Sequence, residues 1–352
     1  MMRIELSRIK NVLIIMMGGI GNMIFFTPAL KALRKTLPSS SFCFLLGPYG
    51  AEKAVEGSDL FDQKIIVEPK KFTGLSGNMR LIRRLRQENL NLSITSTGTN
   101  PLKSGFLCAL AGIEYRVGEN IGGKGIFYNL KVPFDHDRHE VESNIHLVQR
   151  LGVDAEDRRL FVQRSEKDKE SAQKFFAQHS LKGKVVVGLH PGSGVHQAGF
   201  KRWPRERFAQ LADKLITDIG TSVIIFGGAE EMELAEEIKD GMRSSPLIMT
   251  GQSTLAETAA LIEKCTLFIS NDSGLLHAAC AVDTPSIGIF GPTNPRRTGP
   301  YPDLSAVFRK DLACSPCYEG KPVHCGHFEC LNLITVDDMI EEVKKRLDKH
   351  AQ

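Results

Sequence analysis

The chain reads as an α/β protein built from two tandem, doubly wound domains with parallel sheets. Three observations predict this. A length of 352 residues is long for one hydrophobic core. Short β-rich runs alternate with helical periodicity, the pattern of βαβ units. A polar stretch from about Val132 to Ser180 separates two such series.

The first series runs "NVLIIM" (11–16), a helix near 23–37, "SFCFLL" (41–46), "KIIVE" (64–68), a helix near 75–88, "LSIT" (92–95) and a helix near 102–111. The second begins at "KVVVGLH" (184–190) and continues with a helix from Pro204, "SVIIFGG" (222–228), a helix near 230–241 and "PLIM" (246–249). A helix near 254–263, "LFIS" (267–270), a helix near 274–281 and "SIGIF" (286–290) complete it. Between the series lie helical pieces, "ESNIHLVQRLG" and "KDKESAQKFFAQHS", without a recognisable strand. The boundary is expected near residue 158, giving domains 1–158 and 159–352. The last amphipathic helix, "VDDMIEEVKKRLDKH", follows a cysteine-bearing loop.

Composition narrows the class. Hydrophobic residues make up 42% and charged residues 24%, the balance of a soluble globular protein. The 45 basic and 41 acidic residues are interspersed and leave a net charge of +4, which argues against a nucleic-acid partner. "VLIIMM" (12–17) is too short to span a bilayer and has no cleavage site after it, so it reads as a buried strand of a cytoplasmic protein. Cys43, Cys108, Cys265 and Cys280 sit in apolar segments and read as reduced core residues.

The loop "GGIGN" after the first strand fails as a dinucleotide fingerprint. Counted from Gly19, the third glycine of G-x-G-x-x-G is Ile24, and the second strand ends without an acidic residue to hold a ribose. A nicotinamide or flavin cofactor is therefore not expected. Gly18, Gly19 and Gly21 still allow close approach of backbone to a ligand. Asn22 suits an N-cap. Met23, Phe26, Leu30, Leu33 and Leu37 form an apolar stripe, while Pro28 fits either a helix interior at a cost or the first helical position after a Thr27 cap.

In the second series "LHPGSG" (189–194), "KRWP" (201–204), "FGGAEE" (226–231) and "SNDSGLLHAA" (270–279) lie at or beside the carboxyl ends of strands. Open α/β sheets bind ligands there, and helix N-termini supply N–H donors for phosphate. Together these loops suggest a nucleotide diphosphate site.

"GGIGNMIFFTPALKAL", "HPGSG" with "KRWP", "FGGAEEMELAEEI", "TGQSTLAETAALIEKC", "NDSGLLHAA" and "PSIGIFGPTNP" resemble, in order and spacing, the motifs of glycosyltransferase family 9, the ADP-heptose:lipopolysaccharide heptosyltransferases and their relatives. "NLSITSTGTNPLKSGFLCALAGIEYRVG" is similar to part of that family's first domain. The resemblance implies a GT-B fold, two Rossmann-like domains facing a cleft. It implies an inverting transfer that needs no metal or other cofactor, with the sugar nucleotide held by the C-terminal domain and the acceptor by the N-terminal one.

By the same resemblance Lys201 pairs with the donor phosphates, and Glu231, or its neighbour Glu230, holds the ribose. Asp272, Ser273, Gly274 and His277 form the loop and helix start at the diphosphate, with Ser193 near the donor. His277 also fits a satisfied core histidine. Gly19, Gly21 and Asn22 form the acceptor-side loop. There the chain departs from the family, which places an aspartate general base where this sequence has Asn22. An amide cannot accept the proton. Asp135 or His139 could supply the base, the transition state could need little base help, or activity could be lost.

"CSPCYEGKPVHCGHFEC" sets Cys314, Cys317, Cys325 and Cys330 in a C-x2-C-x7-C-x4-C array, with His324 and His327 interleaved. Such spacing suits a structural zinc or iron, and equally a compact reduced loop. Arg80, Arg83, Arg84 and Arg86 line a helix whose Leu81, Ile82 and Leu85 can face the sheet. They read as a solvated face, or as a contact with anionic headgroups. The expected function is transfer of a heptose from ADP-heptose to a lipopolysaccharide-type glycolipid, in the cytoplasm and peripherally at the inner membrane. The alternative is a catalytically silent sugar-nucleotide or glycan-binding protein. A GT-B epimerase related to UDP-N-acetylglucosamine 2-epimerase fits the motifs less well.

Overall fold

A computed structural model describes residues 4–72, 74–194, 199–301, 305–318 and 325–350. The chain divides into two compact units, Met1–Gln163 and Arg164–Gln352.

Unit 1 carries a parallel sheet of β1 (Asn11–Met16), β2 (Ser41–Leu46), β3 (Gln63–Ile66), β4 (Leu92–Thr95), β5 (Tyr115–Asn120) and β6 (Leu130–Pro133). Its order is β3-β2-β1-β4-β5-β6, so the winding reverses between β1 and β4. Val12 to Met16 are buried on both sheet faces, as a covered parallel sheet requires. The helices are α1 (Ile20–Thr36), α2 (Gly74–Gln87), α3 (Pro101–Leu110) and α4 (Glu140–Gln149). Leu81, Ile82 and Leu85 of α2 are buried, with Leu81 and Leu85 in a core that includes Leu13 and Leu45.

Two strands of unit 1 were not expected from the sequence, and neither was β12 of unit 2 (Ala306–Phe308). β5, "YRVGEN", is interrupted by charge, yet its Glu119 is buried and accepts a hydrogen bond from Thr97 Oγ1 at 2.7 Å. β6 enters the stretch expected to lack strands; it is a short edge strand, where Pro133 is tolerated.

Helix α1 resolves the ambiguity at its start. Gly19 is the N-cap, and Asn22, inside the first turn, folds its Oδ1 back to accept the Gly19 N–H at 3.1 Å. Asn22 therefore caps from within the helix rather than preceding it. Pro28 lies in the helix interior and has no N–H for the Ile24 carbonyl. The Thr27 hydroxyl donates to that carbonyl instead, at 2.6 Å. The same oxygen accepts the Phe161 N–H at 2.9 Å, and Gln163 N–H bonds the Ala54 carbonyl at 2.8 Å, which ties the segment 159–163 to unit 1.

Unit 2 repeats the plan with β7 (Val186–His190), β8 (Ser222–Ile225), β9 (Leu247–Ile248), β10 (Leu267–Asn271), β11 (Ser286–Ile289) and β12 (Ala306–Phe308). The order β12-β11-β10-β7-β8-β9 places its reversal between β10 and β7. Its helices are α5 (Glu166–Gln178), α6 (Arg205–Thr217), α7 (Met232–Asp240), α8 (Leu255–Ile262), α9 (Gly274–Ala281) and α10 (Val336–His350). Met339 and Val343 of α10 join Trp203, Phe208 and the sheet in one core. Lys214 to Asp337 at 2.6 Å and Lys310 to Asp338 at 2.8 Å hold its first turn.

Cys43, Cys108, Cys265 and Cys280 are free and buried. Among the described residues no helix is long and apolar enough to cross a membrane.

Candidate functional site

In unit 2 the winding reversal brings the ends of β7 and β10 side by side, and β8 ends next to β7. Ligands bind open α/β sheets at such switch points because the loops diverge there. Asn271, the last residue of β10, accepts the Trp203 N–H at 3.0 Å and donates to the carbonyls of Pro191 at 2.7 Å and Gly192 at 3.2 Å. One buried amide therefore fixes the loop after β7 and the "KRWP" segment together.

Lys201 Nζ lies 2.9 Å from Asp272 Oδ2, and both side chains are largely buried. His277 Nε2 is 3.9 Å from Asp272 Oδ1. Burial alone would raise the Asp272 pKa; Lys201 and then His277 reverse the effect and lower it. Lys201 also sits over the Tyr318 ring, 5.3 Å from its centroid. Ser273 is the N-cap of α9, its hydroxyl accepting the Leu276 N–H at 3.4 Å, and Gly274 is the first helical residue, so the N-terminus of that helix lies beside Asp272. Ser193 is buried in the loop after β7.

Glu231 is also buried. It accepts from His190 Nε2 at 3.0 Å and from the Gly228 N–H at 3.0 Å, with Arg202 3.6 Å away. Desolvation pushes its pKa up, but His190, the Gly228 amide and Arg202 prevail and bring it to about 2. A Cβ on Gly192 would stand 1.7 Å from Glu231 Oε1, so glycine there leaves room for the carboxylate and any other residue must push it aside. Glu230 is exposed.

His190 joins these parts, and the sequence reading passed over it as the end of a strand. Its Nδ1 lies 2.9 Å from Ser273 Oγ and 3.2 Å from Ser270 Oγ, and its Nε2 reaches Glu231. The usable signal was a polar residue closing an otherwise apolar strand at a switch point.

Unit 1 gathers its own group at the reversal between β1 and β4. Asn22 Nδ2 donates to Glu140 Oε2 at 3.1 Å, and Gly98, in the loop after β4, lies beside both. Gly19 and Gly21 flank the start of α1. Asp135 pairs with Arg138 at 3.1 Å, and His139 caps α4 by accepting the Val141 N–H at 3.1 Å.

Cys314, Cys317, Cys325, Cys330 and His327 line one pocket of about 330 Å³. Among the described residues no group of three or more His, Cys, Asp or Glu side chains is disposed to hold a metal ion, so of the two readings of this segment the structural zinc or iron finds no support in this geometry. His324 lies outside the described residues. On α2, Arg80 donates to the Lys71 carbonyl, Arg86 to that of Leu110, and Arg84 pairs with Glu88, which favours the plain solvated face.

The family model for glycosyltransferase family 9 (heptosyltransferase) matches residues 78–325. The chain belongs to glycosyltransferase family 9. Among curated relatives, lipooligosaccharide heptosyltransferase 2 of Haemophilus influenzae is 38% identical over 145 residues, 40% of this chain and 41% of that protein. The chain spans about half the length of the curated relatives it matches. Among solved structures, a glycosyl transferase family 9 protein from Veillonella parvula aligns over 99% of both chains with a TM-score of 0.80 and 24% identity. ADP-heptose lps heptosyltransferase II of E. coli aligns over 97% of this chain and all of that one, with a TM-score of 0.73 and 24% identity. These likenesses show that this family 9 chain has the GT-B type of fold.

Proposed function

We propose that the protein is an inverting glycosyltransferase that moves heptose from ADP-heptose to a lipopolysaccharide-core type of glycolipid on the cytoplasmic side of the membrane. The observation that carries this reading is the grouping of Lys201, Asp272, the α9 N-terminus and Glu231 at one switch point. The names of the family 9 relatives support the sugar and the acceptor class. Unit 2 binds the donor: Lys201 and the first amides of α9 face the diphosphate, and Glu231 takes the ribose. As the anomeric bond breaks, negative charge grows on the departing ADP. Fixed donors aimed at that charge lower the barrier without a cofactor. Unit 1 binds the acceptor at the Gly19 to Asn22 loop.

A thermal-shift panel of sugar nucleotides tests the reading. ADP and ADP-heptose should raise the melting temperature more than the UDP and GDP counterparts; stabilisation by no member would overturn it. Asn22, at the position where the family has its base, favours a second reading, a silent binding protein. Tight ADP-heptose binding with neither transfer nor hydrolysis would select that one.

A further inference from the structure

Asn22 and Glu140 form a pair that the family motifs do not assign. Asn22 Oδ1 already accepts the Gly19 N–H, so its Nδ2 must face the carboxylate it touches at 3.1 Å. Gly18 makes the fold-back possible, since a Cβ there would lie 2.2 Å from Asn22 Oδ1. Glu140 is 7% exposed and is the first residue of α4, where the positive end of the helix dipole favours a negative charge. Gly98, with φ of +78°, passes over the pair: a Cβ on it would lie 3.9 Å from Asn22 Nδ2 and 4.0 Å from Glu140 Oε1. A residue without a side chain thus covers both groups.

We propose that Glu140 is the proton acceptor of the transfer reaction and that the Asn22 amide positions it. The inference rests on the glycosyltransferase reading above. The two other groups near α4 suit the task less. Asp135 is engaged by Arg138 and by the Asp137 N–H at 3.0 Å. His139 uses Nδ1 to accept the Val141 N–H, so in the neutral ring the proton sits on the other nitrogen. In the step itself, the acceptor hydroxyl gives its proton to Glu140, and its oxygen pair forms the bond to the anomeric carbon. The bond from that carbon to the diphosphate oxygen breaks, and its electron pair leaves with ADP.

The test compares wild type, Glu140→Gln, Glu140→Asp and the double variant Asn22→Asp/Glu140→Gln, using ADP-heptose with a heptose-free lipopolysaccharide acceptor. ADP affinity is measured in parallel. Glu140→Gln should lower kcat by about 100-fold or more, the usual worth of a general base, while ADP binding changes less than about twofold. Glu140→Asp should lie between it and wild type. The double variant should recover at least about tenfold over Glu140→Gln, because it returns a carboxylate to position 22; a merely structural Glu140 would not be rescued this way. Glu140→Gln retaining kcat, or a double variant no better than Glu140→Gln, overturns the role of Glu140 alone. A wild type that binds ADP-heptose without turning over overturns the glycosyltransferase reading, and the role of Glu140 with it.

Discussion

Burial by itself raises the proton affinity of Glu231, yet His190, the Gly228 N–H and Arg202 hold it ionised with a pKa lowered from 4.5 to about 2. A depressed carboxylate contributes stability above its ordinary pKa and loses it as pH falls through the folded value. The contribution of Glu231 is therefore full at neutral pH and fades between pH 4.5 and about 2. Unfolding free energies from urea titration of wild type and Glu231→Gln should differ by roughly 2 kcal/mol at pH 7, the worth of a hydrogen bond to a charged group, and converge across that window. Lys201 couples two roles. Lys201→Ala should lower kcat by about 100- to 1,000-fold if it meets the departing diphosphate. It should also destabilise the fold by roughly 3 kcal/mol, because Asp272 stays buried without its cation. Steady-state kinetics and urea denaturation separate the two effects.

Elements locate these residues by devices that a linear reading sees only in part. The apolar stripe of α1 was legible, but its first residue was not, because Asn22 suits the position before a helix and the third position within it. What decides is the Gly19 N–H, which the Asn22 side chain reaches only from inside. Pro28 likewise depends on Thr27, whose hydroxyl serves both the Ile24 carbonyl and the Phe161 amide. Thr27→Val should cost about 1–3 kcal/mol in urea denaturation, since two buried backbone groups lose their partner. The loop after β7 is set just as tightly. Gly192→Ala should displace Glu231 and weaken ADP binding by ~10-fold or more in calorimetry, a loss of about 1.4 kcal/mol.

At the scale of the molecule, each unit has its own core and its own switch point, so ligand effects should be local. In hydrogen exchange, ADP should slow residues 190–194, 226–231 and 271–277 and leave the Asn22 and Gly98 loops unchanged. Protection centred on unit 1 would refute the division of labour between donor and acceptor. Thiol reactivity follows burial. Cys314 and Cys317 are exposed and should react with an aromatic disulfide in the native protein. Cys43 and Cys108 should react only after unfolding, for burial pushes both thiols up to about 12.

Sequence alone determined the class and the repeated plan: apolar strand runs alternating with helical stripes can be buried only by covering parallel sheets. It also pointed to the loops at 189–194, 201–204, 226–231 and 270–279, because glycine-rich strand ends and helix starts follow local rules of backbone geometry; Lys201, Glu231, Asp272, Ser273 and His277 within them were named by the resemblance to family 9. The tertiary structure decided which distant groups meet. His190 links Glu231 to Ser273 across three strand ends, and Asn22 meets Glu140 from 118 residues away. Strand order brings these pairs together, and that order is set by packing between elements rather than by any local run of residues. The same reason hid β5 and β6, whose charged or short segments become strands only because a neighbouring strand and a buried hydroxyl receive them.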